Sequence, residues 1–207
     1  MSDFTYEKRA TDQALETFEW DNNWLEHCEN TATPRVLYIG DSISCGTRKA
    51  ANKLANGSLL FDGVGTSKAV DNPYLLPMIK LWGEQQNRRD FILFNNGLHG
   101  WHMDVAAYAA AYEKTVADLR KAFSDTPPIL LLTTHVADPA RDRDVVQRNQ
   151  AVLEIAARQS LPVVDLYSLT LQNRHLLSAD GVHLIPEGYD LIAQEILTFL
   201  AKKGATK

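Results

Sequence analysis

The sequence is constrained most by five short apolar runs that alternate with segments of helical character. None of these runs shows the strict alternation of a half-exposed strand, and each is bounded by proline, glycine or polar residues. Continuous apolar runs are typical of strands buried on both faces, as in parallel sheets covered by helices. The alternation predicts a three-layer α/β/α sandwich with five parallel strands and a ligand crevice at their carboxyl ends. The runs occupy residues 35–40, 58–61, 91–96, 128–134 and 162–167.

Helical periodicity is clearest in residues 105–123, where apolar side chains recur at spacings of three and four residues. Another helix is predicted after the second strand, with Asn72 as its N-cap and Pro73 at its first position. The segments 142–158 and 186–202 show further helical periods, and the second of them begins with a proline. Each predicted strand is therefore followed by a predicted helix.

An additional helix is predicted near the N-terminus, at about residues 11–28. It contains Trp20 and Trp24, and their spacing of four favours packing against the core over a binding platform. No repeat, linker or low-complexity tract divides the chain. Residues 1–207 are therefore predicted to form a single domain with this helix as an N-terminal addition.

Composition and charge argue against several classes of partner. With 45% hydrophobic and 23% charged residues, the chain resembles an ordinary globular protein. Its net charge of -5 and the lack of a Lys/Arg-rich run argue against nucleic acid. No apolar stretch approaches the length of a membrane span, so no membrane partner is expected. The sequence leaves the oligomeric state open.

The cellular compartment is inferred from the cysteines and the N-terminus. Two cysteines, Cys28 and Cys45, are too few for a disulfide framework and favour a reducing environment. The N-terminal residues are acidic and polar where a signal peptide needs an apolar segment. We therefore expect a cytoplasmic chain, although a processed secreted form would give the same pattern.

The first candidate for chemistry lies in "YIGDSISCG", residues 38–46. Ser42 follows the first predicted strand by two residues, at the sheet edge where such folds bind ligands. Its hydroxyl can act as a nucleophile or cap the helix predicted to begin near Ser44. The segment lacks the spacing of a phosphate-binding P-loop and misses the G-x-S-x-G nucleophile elbow by one residue. By itself, this segment leaves both roles of Ser42 open.

A second candidate lies near the C-terminus in "SADGVHLIPEGY", residues 178–189. Asp180 and His183 are three residues apart in a glycine-containing loop before the last predicted helix. A serine hydroxyl becomes an effective nucleophile when a neutral imidazole accepts its proton, and a carboxylate on the other ring nitrogen fixes the tautomer. Together with Ser42, this pair indicates serine-based acyl transfer.

The segment "GDS" after the first strand, combined with "DGVH" and "LIPEGY", resembles the SGNH hydrolase family, also called GDSL esterases and lipases. The resemblance extends from about residue 35 to residue 200. It implies a flavodoxin-like sheet of five parallel strands in the order 2-1-3-4-5, and ester hydrolysis without a metal or organic cofactor. It also implies a catalytic triad with Ser42 as nucleophile, His183 as base and Asp180 as its partner.

The same resemblance implies an oxyanion hole with two backbone donors. One is the N–H of Ser42 itself. The other is the N–H of a glycine after the second strand, where "FDGVGTS" offers two glycines. Gly65 is the expected donor, because a small polar pair follows it as in the family, and Gly63 is the alternative.

A third oxyanion donor is implied after the third strand, where the family has an asparagine side chain. Here "FNNGLHG" places His99 at that position. An imidazole N–H can donate to an oxyanion as an amide does, so His99 is the expected donor. Asn96 is the alternative, although Asn95 and Asn96 can also satisfy backbone groups of the loop.

The expected reaction is hydrolysis of a small acyl ester, with O-acetyl groups on a carbohydrate as the expected substrate. This expectation comes from the short loops after the strands and from the G-L-H segment, which resembles carbohydrate-esterase-like members. A thioesterase or lysophospholipase on the same scaffold is an alternative, as is a catalytically idle binding module. No metal is expected, because the other histidines lack the partner spacing of metal ligands. They are His27, His102, His135 and His175.

Overall fold

Strands and helices alternate through residues 15–204, which are the residues that the computed structural model describes. The strands are β1 (Asp21–Trp24), β2 (Arg35–Gly40), β3 (Leu60–Thr66), β4 (Phe91–Phe94), β5 (Pro128–Leu131) and β6 (Val163–Val164). The helices are α1 (Ser42–Ala55), α2 (Leu75–Gly83), α3 (Val105–Ala122), α4 (Pro139–Gln159), α5 (Leu166–Gln172) and α6 (Pro186–Lys202). A short 3₁₀ turn at Arg174–Leu176 lies between α5 and α6.

The strands form one sheet in the order β1-β3-β2-β4-β5-β6. Strands β2 to β6 pair in parallel, and β1 pairs with β3 in the antiparallel direction. Numbered among themselves, the five parallel strands have the order 2-1-3-4-5. The α/β class and the flavodoxin-like order are therefore confirmed, while β1 adds an antiparallel edge that was not predicted.

Helices cover both faces of the sheet because the parallel strands are apolar on both sides. In β2, Val36 and Tyr38 belong to one core, whereas Leu37 and Ile39 belong to the other. Helices α1 and α6 pack on the first face, and α2 and α3 pack on the second. This is the predicted three-layer sandwich. Within residues 15–204, no helix combines the length and the apolar character that a membrane crossing requires.

The helix predicted at about residues 11–28 is wrong for the described part of that range, where β1 is the regular element. Residues 11–14 lie outside the described residues. The spacing between Trp20 and Trp24 misled the prediction, because residues i and i+4 share a face in a strand as well as in a helix. The Asp-Asn-Asn run between them has low helix propensity, and the open edge of β3 offers backbone partners instead. Trp24 is 54% exposed, so its predicted packing against the core is also wrong.

Strand β3 is longer than its apolar run predicted, because two glycines lie inside it. A side chain at Gly63 would collide with Arg48, and one at Gly65 would collide with Cys45. Both contacting residues belong to α1. The two glycines therefore let α1 pack closely against the strand, and they are not turn residues.

Helix α2 begins two residues later than predicted. The Asn72 side chain accepts the N–H of Tyr74 at 2.9 Å, which closes a turn before the helix. Asn72 therefore forms a capping type of hydrogen bond, but that bond stabilises the turn before α2 and not the helix itself.

A buried ion pair fixes the N-terminal segment beside the sheet. The Arg35 guanidinium lies 2.7 Å from the Asp62 carboxylate, and both side chains are almost fully buried. Arg35 also donates to the carbonyls of Glu26 and His27, and Asp62 accepts the N–H of Glu26 at 2.7 Å. At the other end of β1, the Ser67 N–H donates to the Trp20 carbonyl at 3.1 Å. The segment is therefore held at both ends of the edge strand.

Candidate active site

Ser42 lies at the carboxyl end of β2, as the first residue of α1. The N-cap of this helix is Asp41, whose carboxylate accepts the N–H of Ile43 at 3.0 Å. The capping role that the sequence left open for Ser42 therefore belongs to the preceding residue. The Ser42 hydroxyl is left for another partner at the edge of the sheet.

That partner is the imidazole of His183, from the loop before α6. Its Nε2 lies 2.7 Å from the Ser42 Oγ, although the two residues are 141 positions apart in the sequence. Its Nδ1 lies 2.7 Å from the Asp180 Oδ2. The side chains of His183 and Asp180 are 29% and 26% exposed, so the group is accessible from solvent. The structure thus brings Ser42, His183 and Asp180 into one hydrogen-bonded chain.

The second oxygen of Asp180 holds the loop in shape. It accepts hydrogen bonds from the Ser178 hydroxyl at 2.7 Å and from the N–H groups of Val182 and His183 at 2.8 and 2.9 Å. Burial raises the pKa of this carboxyl, but the hydrogen bonds outweigh burial and lower the pKa below its ordinary value. Asp180 is therefore a carboxylate at neutral and mildly acidic pH.

Asp41 connects Ser42 to the loop after β4. Burial raises the pKa of its carboxyl above the ordinary value, although the N–H groups of Ile43 and Leu98 act in the opposite direction. The sheet pairing continues beyond β4, since the Asn95 N–H donates to the Ile39 carbonyl at 3.0 Å. The "NNGLHG" loop therefore runs beside the residue that precedes Ser42.

His99, on this loop, is buried against the N-terminal segment. Its Nδ1 lies 2.8 Å from the Glu16 Oε2, and the other Glu16 oxygen accepts the N–H of Gly100 at 2.6 Å. Glu16 is 3% exposed and His99 is 7% exposed. The Trp20 ring packs edge-on against the imidazole, with 6.1 Å between ring centroids. A carboxylate 83 residues away in the sequence thus binds the ring predicted to be an oxyanion donor.

Arg148 of α4 holds the same loop from its other side. Its guanidinium donates to the carbonyls of Gly97, His99 and Gly100 at 2.9, 2.7 and 2.7 Å. It also stacks on Trp101, with its Cζ 4.2 Å from the ring centroid. Arg148 is 2% exposed, and burial lowers the pKa of its guanidinium below the ordinary value. The loop is therefore fixed by a buried cation that uses its fork of donors on backbone oxygens.

Several solved structures share this architecture. A lipase/acylhydrolase from Enterococcus faecalis matches with a TM-score of 0.68 and 18% identity, covering 84% of this chain and 98% of that chain. A lipolytic protein of the G-D-S-L family from Veillonella parvula matches with a TM-score of 0.66 and 18% identity, covering 82% and 99%. An acetyl xylan esterase matches with a TM-score of 0.62 and 18% identity, covering 80% and 99%. The chain has the SGNH hydrolase fold. The sequence alone matches no protein-family model and no curated protein.

In this SGNH fold, the two candidate oxyanion glycines lie within β3 and face β1. Gly63 pairs with Trp24, and Gly65 pairs with Asn22. Hydrogen-bonded pairs alternate along an antiparallel ladder, and the Ser67–Trp20 bond fixes which residues point to β1. The N–H groups of Gly63 and Gly65 are therefore directed at β1. This geometry argues against the backbone donor role predicted for Gly65 and for its alternative.

The two asparagines before the G-L-H segment bind backbone carbonyls. The Asn95 amide donates to the Leu131 carbonyl at 2.8 Å, and the Asn96 amide donates to the Lys68 carbonyl at 2.8 Å. These are the loop-satisfying contacts that the sequence offered as the other role of both residues. The geometry therefore favours His99 over Asn96 as the side-chain donor.

Two further histidines at this edge of the SGNH fold pair with carboxylates. His102 Nε2 lies 2.8 Å from Asp71, and His135 Nδ1 lies 2.8 Å from Asp142. The backbone after His135 reaches the Asp180 loop, because the Ala137 N–H donates to the Gly181 carbonyl at 2.7 Å. Within residues 15–204, no three His, Cys, Asp or Glu side chains are grouped so that they could hold a metal ion.

Glu16 and Arg148 were not predicted from the sequence. Glu16 fell in a predicted helix, and its partner is far away in the sequence, so no local spacing pointed to it. Arg148 lies in the predicted helix 142–158, where an arginine ordinarily faces solvent. Only its burial and its three carbonyl partners distinguish it from the neighbouring arginines.

Proposed function

We propose that the protein is a serine ester hydrolase that cleaves small acyl esters, with O-acetyl groups on a carbohydrate as its substrate class. The observation that carries this proposal is the chain of contacts from the Ser42 Oγ through His183 to Asp180, each 2.7 Å long. A serine, an imidazole and a carboxylate in this order are the groups needed for nucleophilic acyl transfer. The shared fold with structures described as lipolytic proteins supports the same reaction class.

The first half of the reaction forms an acyl-enzyme. His183 Nε2 removes the proton from the Ser42 hydroxyl as Oγ attacks the ester carbonyl, and the carbonyl electrons move onto oxygen. Asp180 accepts a hydrogen bond from Nδ1 and stabilises the imidazolium that forms. The C–O bond to the alcohol then breaks, and His183 returns the proton to the departing oxygen.

The second half regenerates Ser42. A water molecule gives its proton to His183 Nε2 and attacks the acyl carbonyl, and the bond to Oγ breaks as His183 returns the proton to Oγ. The products are the free acid and an unchanged serine. The negative oxygen formed in both halves is stabilised by the N–H of Ser42, at the positive end of α1, and by the His99 ring.

The acetyl preference rests on the short connection at the site and on one of the structural neighbours. Helix α1 begins directly after Asp41, so the loop at Ser42 offers little apolar surface for a long acyl chain. A neighbour of the same fold is described as an acetyl xylan esterase. Both observations favour a small acyl group on a sugar hydroxyl over a fatty acyl chain.

The experiment combines labelling with a substrate series. A fluorophosphonate probe should label the wild-type protein and leave Ser42→Ala unlabelled. Among p-nitrophenyl esters, kcat/KM should be highest for acetate and fall with chain length, and acetylated xylan oligomers should release acetate. Higher kcat/KM for octanoate or for a thioester would favour the lysophospholipase or thioesterase alternative. A folded wild-type protein that neither labels nor turns over would favour the idle binding module.

A further inference from the structure

A groove of about 420 Å³ lies between β1 and α1, and its size is usual for a small-molecule site. The Arg48 Nη2 donates to the Asn22 Oδ1 at 3.2 Å, and the Asn52 amide donates to the Glu26 Oε2 at 3.3 Å. These two contacts connect the segment that contains the edge strand to the helix that begins at Ser42. The residues that line the groove are Asn22, Trp24, Glu26, Arg48, Lys49 and Asn52.

Trp24 supplies the aromatic surface of this groove. The residue is 54% exposed, which is unusual for so large a side chain. Its indole N–H donates to the Glu26 Oε2 at 2.8 Å, so the polar edge of the ring is held in place. A ring that is already fixed loses little conformational freedom when a ligand packs on it. The C–H groups of a sugar ring can pack on the electron-rich face of such an indole.

Two cations line the groove against one carboxylate. Arg48 is 3% exposed, whereas Lys49 is exposed, and neither forms an ion pair with a carboxylate of residues 15–204. Glu26 is the acid in the lining, and it already accepts hydrogen bonds from Trp24 and Asn52. A largely buried guanidinium gains from a charge-assisted contact with an anion. The groove therefore suits a ligand that carries a negative group.

The same face of α1 connects this groove to the proposed nucleophile. Ser42, Cys45 and Lys49 follow one another at spacings of three and four residues, so they lie on one side of the helix. Lys49 is about 10 Å from Ser42 along the helix axis, because each residue adds about 1.5 Å. A side chain at Gly65 would collide with Cys45, and Gly65 pairs with Asn22 of β1. A short oligosaccharide is long enough to extend from Ser42 to the groove.

We propose that the groove between β1 and α1 is a sugar-binding subsite that takes a carboxylated sugar of the acylated substrate. The sugar ring packs on Trp24, and its carboxylate binds Arg48 and Lys49. The amides of Asn22 and Asn52 are the groups that contact sugar hydroxyls. The inference rests on the proposed ester hydrolysis and names the substrate as an acidic carbohydrate. It also gives the antiparallel strand β1 a role in substrate binding.

The test is binding of two O-acetylated xylo-oligosaccharides of equal length, one neutral and one with a glucuronic acid branch. Titration calorimetry on Ser42→Ala measures both Kd values without turnover. The acidic oligosaccharide should bind about tenfold more tightly at low salt, because its carboxylate meets two cations. That advantage should shrink as the salt concentration rises to about 0.5 M. Equal Kd values for the two oligosaccharides, or no binding of the acidic one, would overturn the proposal.

The charge contribution is tested by adding Lys49→Gln to Ser42→Ala. This change should raise the Kd of the acidic oligosaccharide about threefold or more and that of the neutral one by less than about twofold. The matched control is Lys53→Gln on the same helix, since Lys53 is exposed and pairs with Asp190 of α6 outside the groove. An equal effect of Lys49→Gln and Lys53→Gln, or no effect of Lys49→Gln, would contradict the proposal.

The aromatic contribution is tested by Trp24→Ala in the same background. It should raise the Kd of both oligosaccharides about tenfold, because both lose the stacking surface. Tyr74→Ala is the control, since Tyr74 is an exposed aromatic residue before α2 that does not line the groove. Unchanged binding in Trp24→Ala would contradict the proposal. These results are distinguishable from failure of the proposed function, in which the wild type would show neither fluorophosphonate labelling nor turnover.

Discussion

Two of the histidine–carboxylate pairs at the sheet edge, Asp180–His183 and Glu16–His99, have the same kinds of group but different surroundings. In the Asp180–His183 pair, both side chains are more than a quarter exposed, and the other ring nitrogen of His183 contacts the Ser42 hydroxyl. In the Glu16–His99 pair, both are buried, and the loop that carries the ring is clamped by Arg148. An accessible imidazole can exchange protons with a substrate and water, whereas a buried imidazole is shielded from both. The difference in exposure therefore suits His183 to the role of a base and His99 to that of a fixed hydrogen-bonding group.

The largest effect should come from removing the proposed nucleophile, Ser42. Ser42→Ala should lower kcat by about 10⁵-fold or more, since the triad acts as a unit. The control is Ser44→Ala, two residues further along α1, because the Ser44 hydroxyl donates to the Asp41 carbonyl instead of contacting His183. It should retain activity within about tenfold of wild type. Steady-state hydrolysis of p-nitrophenyl acetate measures both. Similar activity in Ser42→Ala and wild type would remove Ser42 from the mechanism.

The contact between Asp180 and His183 can be removed by substituting the carboxylate. Asp180→Asn should lower kcat by about 10⁴-fold, because the imidazole loses the partner that fixes its tautomer. Asp142→Asn removes the corresponding carboxylate from His135 and should have an effect of less than about tenfold. A loss of equal size in both variants would show that the effect is not specific to the carboxylate that contacts His183.

The acid side of the pH profile sharpens the role of this pair. The pKa of Asp180 is held below its ordinary value, so its carboxylate stays charged as the pH falls from 8 to 5. Asp180 therefore should not cause a loss of kcat/KM in this range, and a histidine base predicts that activity rises with pH. Activity that stays constant from pH 5 to 8 would contradict a histidine base.

The contact between Glu16 and His99 can be removed by substituting the histidine. His99→Ala should lower kcat by about 100-fold, the typical cost of one oxyanion donor, whereas His99→Asn should retain much of the activity at pH 7. His102→Ala, three residues further along the same loop, is the control, since His102 pairs with Asp71. Equal activity in wild type, His99→Ala and His99→Asn would remove the donor role from His99.

The smallest effect should come from substituting Arg148, which binds three carbonyls of the loop that carries His99. Arg148→Lys keeps the charge but cannot reach three carbonyls with a rigid fork, so we expect a loss in kcat of about tenfold from displacement of the His99 loop. Arg141→Lys is the matched control, because Arg141 also lies over Trp101. Kinetics and thermal unfolding together separate the two roles. A lower Tm with unchanged kcat would mean that Arg148 stabilises the fold without positioning the ring.

The fold and one half of the site could be predicted because their signals are local. Apolar runs such as residues 35–40 identify buried parallel strands, and the spacing of Asp180 and His183 places both groups in one loop. The N-terminal prediction was wrong because the spacing of Trp20 and Trp24 fits two periods. Local spacing contains no information about which free sheet edge a segment will occupy.

The sequence by itself determined the α/β class, the parallel order implied by the family resemblance, and the choice of Ser42, Asp180 and His183 as candidate site residues. Only the tertiary structure decided that Asp41, and not Ser42, caps α1. It also placed Glu16 against His99 and directed the Gly65 N–H towards β1. Periodicity and short spacings reflect interactions within one element. Contacts between distant segments depend on packing, where burial and hydrogen-bond partners select among arrangements that the local sequence permits equally.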